Sequence, residues 1–331
     1  MNPIELDHVT VVRSREQNEG SPILDDLTLS VGDGASLGLV GPNGSGKTTL
    51  LRVLACLVRP ASGRAMVCGF DTTRDPIAVR RRIGYVPEQF GVYPRLSIVQ
   101  YLQFFARASG VSQWERRNTV ETMLRVVDLF DQRHEEAAAL SRGSRRRLAL
   151  ARALLHNPPV LLLDDPLAGL DGRGRLELVE VLREVRDMGI TIVVSTHLLA
   201  DLAQVCDSVA VLRAGRLASI TPLAVALGRE GRGRQRVRLE LIEGVRSTAR
   251  PEAVGVLLSK QPGVLDVTEG DGGLSFVYEG DPDGLASVLD RLVGSGARVV
   301  QFGRGPEQLD ELSAALAEGD DMPRAVRSYS A

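Results

Sequence analysis

The sequence predicts a two-part α/β chain, a larger mixed core followed by a small α+β domain. Three observations carry that expectation. "ASLGLV" (Ala35 to Val40), "GPNGSGKTT" (Gly41 to Thr49) and "KTTLLRVLACLV" run in the order apolar strand, tight glycine loop, amphipathic helix. "VLLLDD" (Val160 to Asp165) reads as a second buried strand that stops at two adjacent carboxylates. Beyond the linker near residue 230, short strand and helix patterns follow one another in the order βαββαβ.

Composition sets the outer bounds. The 331 residues, 44% of them hydrophobic and 25% charged, supply one full core and a smaller second domain of a soluble globular kind. Forty basic against forty-two acidic residues leave a net charge of -2, so no global field draws nucleic acid or anionic lipid, and any anion site has to be local. Cys56, Cys68 and Cys206 form no CxxC pair, suggest neither zinc nor a disulfide framework, and fit a reducing compartment. The start "MNPIELDHVTVV" lacks a basic stretch followed by an apolar block, and no uninterrupted apolar run approaches eighteen residues. Nothing in the sequence is expected to cross a bilayer.

The first element has the most specific chemistry. Only two of the forty basic residues are lysines, Lys47 and Lys260, and Lys47 sits in a full match to G-x-x-x-x-G-K-[ST]. Gly41, Gly44 and Gly46 free the backbone for a tight loop, with Pro42, Asn43 and Ser45 between them, and a helix starts behind it. Loop amides and the helix N-terminus then converge on one point, a cradle for a triphosphate. Lys47 adds a compact positive charge, Thr48 a hydroxyl ligand for Mg²⁺, and Thr49 continues the turn.

The second strand supplies what that cradle needs. Asp164 stands where an acid would hold Mg²⁺ beside the phosphates. Asp165 is expected to face the attacking water, since successive side chains of an extended strand point to opposite sides. Asp171, at the end of "PLAGLD", is expected to shape a loop or an interface.

With these residues placed, the chain resembles the ATP-binding cassette (ABC) ATPases, over about residues 3 to 220. "YVPEQFGVYPRLS" is similar to the Q-loop, "LSRGSRRRLALARAL" from Leu140 to the signature motif, "AGLD" from Ala168 to the D-loop, and "VVSTH" to the switch segment that ends in His197. The resemblance implies a P-loop NTPase fold, an ABC ATPase core with a helical subdomain. It implies that Gln89 contacts Mg²⁺ and water, and that His197 contacts the γ-phosphate. Ser141 and the amide of Gly143, at a helix starting near Ser144, would grip the ATP held by a second copy or close homologue in a head-to-tail dimer. Loss of the γ-phosphate would open that dimer and move an attached membrane subunit.

Three departures qualify the resemblance. The family's usual catalytic glutamate is replaced by Asp165, one methylene shorter; a base displaced by about 1 Å loses on the order of 100-fold in rate, roughly 2.7 kcal/mol of barrier. Arg142 and Ser144 replace a glycine and a glutamine of the commonest signature. No aromatic occupies the adenine-stacking position, where Arg13 would offer a guanidinium plane instead.

The rest of the chain follows from pattern. Residues 1–227 form the ATP-binding domain, with the helical subdomain at about 88–157, where "IVQYLQFFARASGV" and "ETMLRVVDLF" are amphipathic. "FGVYP" would offer exposed Phe90, Val92 and Tyr93 to a separate transmembrane permease subunit. The arginines at 80–82 and 145–147 read as solvated helix faces. Residues 228–235 form a flexible linker, 236–318 a ferredoxin-like α+β accessory domain for dimer contacts or regulation, and 319–331 a flexible tail. The chain is therefore expected to be the ATPase subunit of an ABC exporter, using ATP and Mg²⁺ and lying in the cytoplasm on the inner face of the membrane, with no nucleic acid partner. Two other readings fit the same motifs: a nucleotide-gated regulatory subunit with weak hydrolysis, motivated by Asp165, and a soluble ABC ATPase acting on nucleic acid or the ribosome.

Overall fold

The computed structural model describes residues 2–12, 22–196, 204–226, 233–241, 251–270 and 273–303. In chain order the first unit holds β1 (Ile4–Val11), β2 (Leu24–Val31), β3 (Ser36–Val40), α1 (Lys47–Leu54), β4 (Ser62–Val67), β5 (Phe70–Asp71), α2 (Pro76–Arg80), β6 (Ile83–Val86), α3 (Ile98–Ala108), α4 (Gln113–Val126) and α5 (Arg142–Leu154). It continues with β7 (Val160–Asp164), α6 (Gly172–Asp187), β8 (Thr191–Thr196), β9 (Ser208–Arg213) and β10 (Arg216–Pro222). The chain divides into compact units between Ile220 and Thr221.

A six-stranded sheet in the order β10-β9-β3-β8-β7-β6 positions the site. Strands β3, β7 and β8 are buried along their whole length, which is why their sequences show no alternation of apolar and charged residues. They run parallel, with Val40 beside Thr196 and Asp164 beside Ser195. The chain therefore leaves all three strands at one edge of the sheet, where ligands of open α/β sheets bind. A second, antiparallel sheet in the order β2-β1-β4-β5 shares the core with β3, and Ile4, Leu27, Leu39, Leu51 and Val67 are fully buried there. Its β1–β2 ladder is irregular around His8 and Asp26, both at positive φ, whose side chains meet at 2.7 Å.

The helices start on the caps that their sequences encode. Ser97 and Gln100 form a reciprocal capping box on α3, Ser112 caps α4, and Asp171 caps α6 by accepting from the Gly174 amide at 2.9 Å. Asp171 thus shapes a helix start. Among the described residues no helix is long and apolar enough to cross a membrane, and all three cysteines are free.

The second unit holds α7 (Leu223–Ala226), β11 (Gly233–Leu241), α8 (Pro251–Ser259), β12 (Val264–Gly270), β13 (Gly273–Gly280), α9 (Pro282–Gly294) and β14 (Val299–Gly303). Its sheet order, β12-β13-β11-β14 with antiparallel pairs, is the ferredoxin-like arrangement of βαββαβ. Val237, Leu239, Leu258, Phe276 and Leu292 fill its separate core. Strand β11 begins at Gly233, inside the span that composition alone assigns to a linker. Residues 228–232, and the region from 304 to the end that includes the expected tail, lie outside the described residues.

Candidate active site

The loop after β3 is held by its own backbone. Ser45 N–H donates to Pro42 O at 3.1 Å, and Gly215 N–H donates to Ser45 O at 3.1 Å. A Cβ at Gly41 would lie 2.2 Å from Leu212 O; one at Gly46, where φ is +107°, would lie 2.7 Å from Leu24 Cδ2 and 2.9 Å from Ile23 O. Only glycine fits at either place. Because Gly46 is the N-cap of α1, no side chain answers the first amides of that helix. Asn43 and Gly44 lie in the loop ahead of that N-cap, and Thr49 lies in the first turn of the helix.

Lys47 closes the loop from within. Its Nζ donates to Gly41 O at 2.6 Å and to Pro42 O at 3.0 Å. Burial lowers its pKa from the ordinary lysine value, and Asp165 and Asp164 act in the opposite direction. Thr48, one residue on, donates its hydroxyl to Asp164 Oδ1 at 2.9 Å, across 116 positions of sequence. Asp164 is buried, and the same Oδ1 accepts the Ser195 hydroxyl at 2.8 Å.

Asp165 corrects the extended-strand expectation. Strand β7 ends at Asp164, and Asp165 has φ of +44°, in the left-handed region. The backbone therefore turns between the two acids, and the charges of both act on Lys47 and on Arg146. Short Asp tolerates that conformation better than a longer side chain does. The turn is fixed by the Asp165 amide, which lies 3.1 Å from Ser195 O and 3.0 Å from Ser195 Oγ. Gln89 lies exposed in the loop after β6, and His197 and Arg13 fall outside the described residues.

The signature stretch starts its helix earlier than the sequence suggests. Helix α5 begins at Arg142, and Ser141 is its N-cap, accepting from the Ser144 amide at 3.1 Å. Gly143 faces the start of α6, where an added Cβ would make an ordinary contact with Gly174 Cα at 3.6 Å. Ser141, Gly143, Ser144, Arg147 and Asp171 line a groove of about 530 Å³ at this junction.

The reading of arginines 145–147 as a solvated face is also corrected. Arg147 is buried and donates to Val127 O at 3.3 Å, Asp128 O at 3.1 Å and Asp128 Oδ2 at 3.1 Å, and it lies 3.4 Å from Glu177 Oε2. Arg146 is half-buried and donates to Pro87 O at 3.2 Å, beside the Q-loop. Burial lowers its pKa, while the charges of Asp165, Glu88 and Asp164 offset part of that loss. Helix α5 packs against α3, α4, α6 and β6, so no face of it is left to water alone. Sequence reasoning missed Ser195, Arg146 and Arg147. The identity of a residue does not say whether its polar atoms find buried partners.

The proposed docking aromatics divide. Phe90 and Val92 are half-buried, Phe90 packing edge-on to Tyr101 and under the Arg152 guanidinium. Tyr93 is exposed and stacks with Phe105, and Phe104 is exposed beside it.

Residues 24–168 match the family model described as ABC transporter. The chain is 32% identical over 286 residues to the Nod factor export ATP-binding protein I of Cupriavidus metallidurans, an alignment covering 83% of this chain and 94% of that one. The chain belongs to the ABC transporter ATP-binding proteins. This cassette is also 32% identical over 227 residues to the methionine import ATP-binding protein MetN of Lactobacillus delbrueckii subsp. bulgaricus, covering 66% of this chain and 65% of that one. Among solved structures it is similar to a dimeric ATP-binding cassette in a post-hydrolysis state bound to ADP and Pi, with a TM-score of 0.60, 27% identity, and coverage of 66% of this chain and 98% of that one. The cassette is accordingly an ABC ATPase and the ATP-binding subunit of an ABC transporter.

Proposed function

We propose that the cassette is the motor of an exporter, closing on ATP as a head-to-tail dimer and driving a separate transmembrane permease. The observation that carries the catalytic half of this reading is the 2.9 Å contact between Thr48 Oγ1 and Asp164 Oδ1, which sets a P-loop hydroxyl against a carboxylate at the same sheet edge. Both are hard oxygen donors of the kind Mg²⁺ takes. Among the described residues no cluster of three or more His, Cys, Asp or Glu could hold a metal, so a Mg²⁺ ion would take its remaining ligands from phosphate and water. When bound there, Mg²⁺ supplies positive charge against the phosphate oxygens.

The chain's own residues do the rest. Gly41, Pro42, Asn43, Gly44, Ser45, Gly46, Lys47, Thr48 and Thr49 hold the phosphates, with Lys47 exchanging its two carbonyl partners for phosphate oxygens. Asp165 accepts the proton of the attacking water, Gln89 and His197 orient that water, and Arg13 stacks on adenine. Ser141 and Gly143 close over the nucleotide of a second copy. Tyr93 and Phe104 form the exposed aromatic surface on which the permease sits, placing the cassette at the inner face of the membrane. The near-complete alignment with the Nod factor exporter subunit supports export over import.

Two measurements test this. Purified cassette should hydrolyse ATP in a way abolished by Lys47→Ala, and inside-out vesicles carrying cassette and permease should load substrate on ATP addition. Loading by right-side-out vesicles instead would assign import. The short Asp165 favours one competing reading, a nucleotide-gated regulatory subunit. ATP binding with no turnover, alone and with the permease, would select it.

A further inference from the structure

Ser195 is buried at the end of β8, with 1% of its surface exposed, and lies in the switch segment two positions before His197, with no role of its own assigned to it so far. Three interactions with the adjacent acids meet on this one residue. Its hydroxyl donates to Asp164 Oδ1 at 2.8 Å, and the Asp165 amide lies 3.0 Å from that hydroxyl oxygen and 3.1 Å from the Ser195 carbonyl. Thr48 donates to the same carboxylate oxygen at 2.9 Å. Asp164 Oδ1 is therefore fixed from two sides, by the phosphate loop and by β8. Asp165 depends on the same residue differently, since its left-handed φ of +44° precedes Pro166, a combination the chain does not adopt without support.

We propose that Ser195 is a positioning residue for ATP hydrolysis: its hydroxyl aims Asp164 at the metal and holds the backbone turn that aims Asp165 at the water. This rests on the proposed roles of Asp164 and Asp165. A purely structural serine would fill space and satisfy one strand end. A positioning serine couples the two acids to β8, the strand that runs directly into His197, so that one shift at the end of β8 moves both carboxylates.

An isosteric pair tests the proposal. Ser195→Thr keeps a hydroxyl and Ser195→Val replaces it with a methyl of the same shape, so any crowding affects both alike and their difference reports the hydroxyl. Affinity for Mn²⁺ in the presence of ADP, read from the EPR signal of free Mn²⁺, should be about tenfold weaker in Ser195→Val than in Ser195→Thr. The kcat of the Val variant should fall at least as far, while metal-free ADP binding stays within error of the Thr variant. Equal Mn²⁺ affinity and equal kcat in the two variants would overturn the proposal and leave the site reading standing. Wild-type protein that binds Mn²⁺ and ADP no better than Lys47→Ala would overturn the site reading itself, and this proposal with it.

Discussion

Replacing Arg147 with methionine should cost the first unit about 3–6 kcal/mol, most of it through two backbone carbonyls rather than through ion pairs. The Asp128 partner is 91% exposed on its side chain, so its 3.1 Å ion pair contributes about 0–1 kcal/mol. Glu177, 34% exposed, adds about 1 kcal/mol at 3.4 Å. Val127 O and Asp128 O close the C-terminal end of α4 and take the guanidinium as donor; losing a charged donor costs each about 1–2 kcal/mol. Methionine retains the aliphatic stem, so no large cavity is added. Urea unfolding followed by circular dichroism at the helical band is the assay. The single tryptophan, Trp114, is 93% exposed, so its emission should change little on unfolding. A loss below about 1 kcal/mol would refute the argument. So would a Glu177→Gln variant as unstable as Arg147→Met, because the ion pair rather than the carbonyls would then dominate.

Other outcomes follow from the same structure. Gly46→Ala forces a side chain into φ of +107° and against Leu24 and Ile23, a strain of about 1–3 kcal/mol, and should weaken binding of a fluorescent ATP analogue at least tenfold; unchanged affinity would show that the loop has slack. His156 accepts no proton easily, because burial lowers its pKa from 6.5 despite the contact with Ile83 O at 3.0 Å; the unfolded chain then binds the extra proton, and stability should fall as pH drops below 6.5 and level off above it, a slope that His156→Gln flattens in urea titrations at pH 5 to 8. Exposed His8 works with the opposite sign, since Asp26 raises its pKa: its small gain is present below 6.5 and lost as pH rises through the raised value, so His8→Gln should remove that decline above 6.5 and leave the slope below it largely unchanged. Phe276→Ala removes a fully buried ring from the small core of the second unit and should cost about 3–5 kcal/mol there; trypsin should then cut within residues 233–303 first while ATP binding survives, and unchanged protection would contradict the separate core.

The sequence is most legible where chemistry restricts residue choice. The loop from Gly41 to Thr49 can hold phosphate with few other residue types, and the buried strands β3 and β7 show as apolar runs because parallel strands are covered on both faces. The βαββαβ order of the second unit was readable from the alternation at Val237, Leu239 and Leu241 and from its turn glycines. What escaped the sequence depends on partners distant along the chain. The 116 positions between Thr48 and Asp164 hide a direct contact, and hydropathy places Arg147 in solvent because it takes no account of two carbonyls at the end of α4. The turn at Asp165 was invisible for a similar reason, since it is imposed by Ser195 from the neighbouring strand. A loop phenylalanine such as Phe90 carries no mark in the sequence of the Tyr101 ring and Arg152 guanidinium that half-bury it.

Strand β10 runs from Arg216 to Pro222, yet the compact units divide between Ile220 and Thr221. The last two residues of that outermost strand are thus counted with the C-terminal module, although their backbone finishes the border of the ATPase sheet. Severing the polypeptide at that division would cut this edge strand short. Any attempt to exchange the C-terminal module for that of a relative should therefore join the two sequences after Pro222, with the whole strand inherited from the ATPase side.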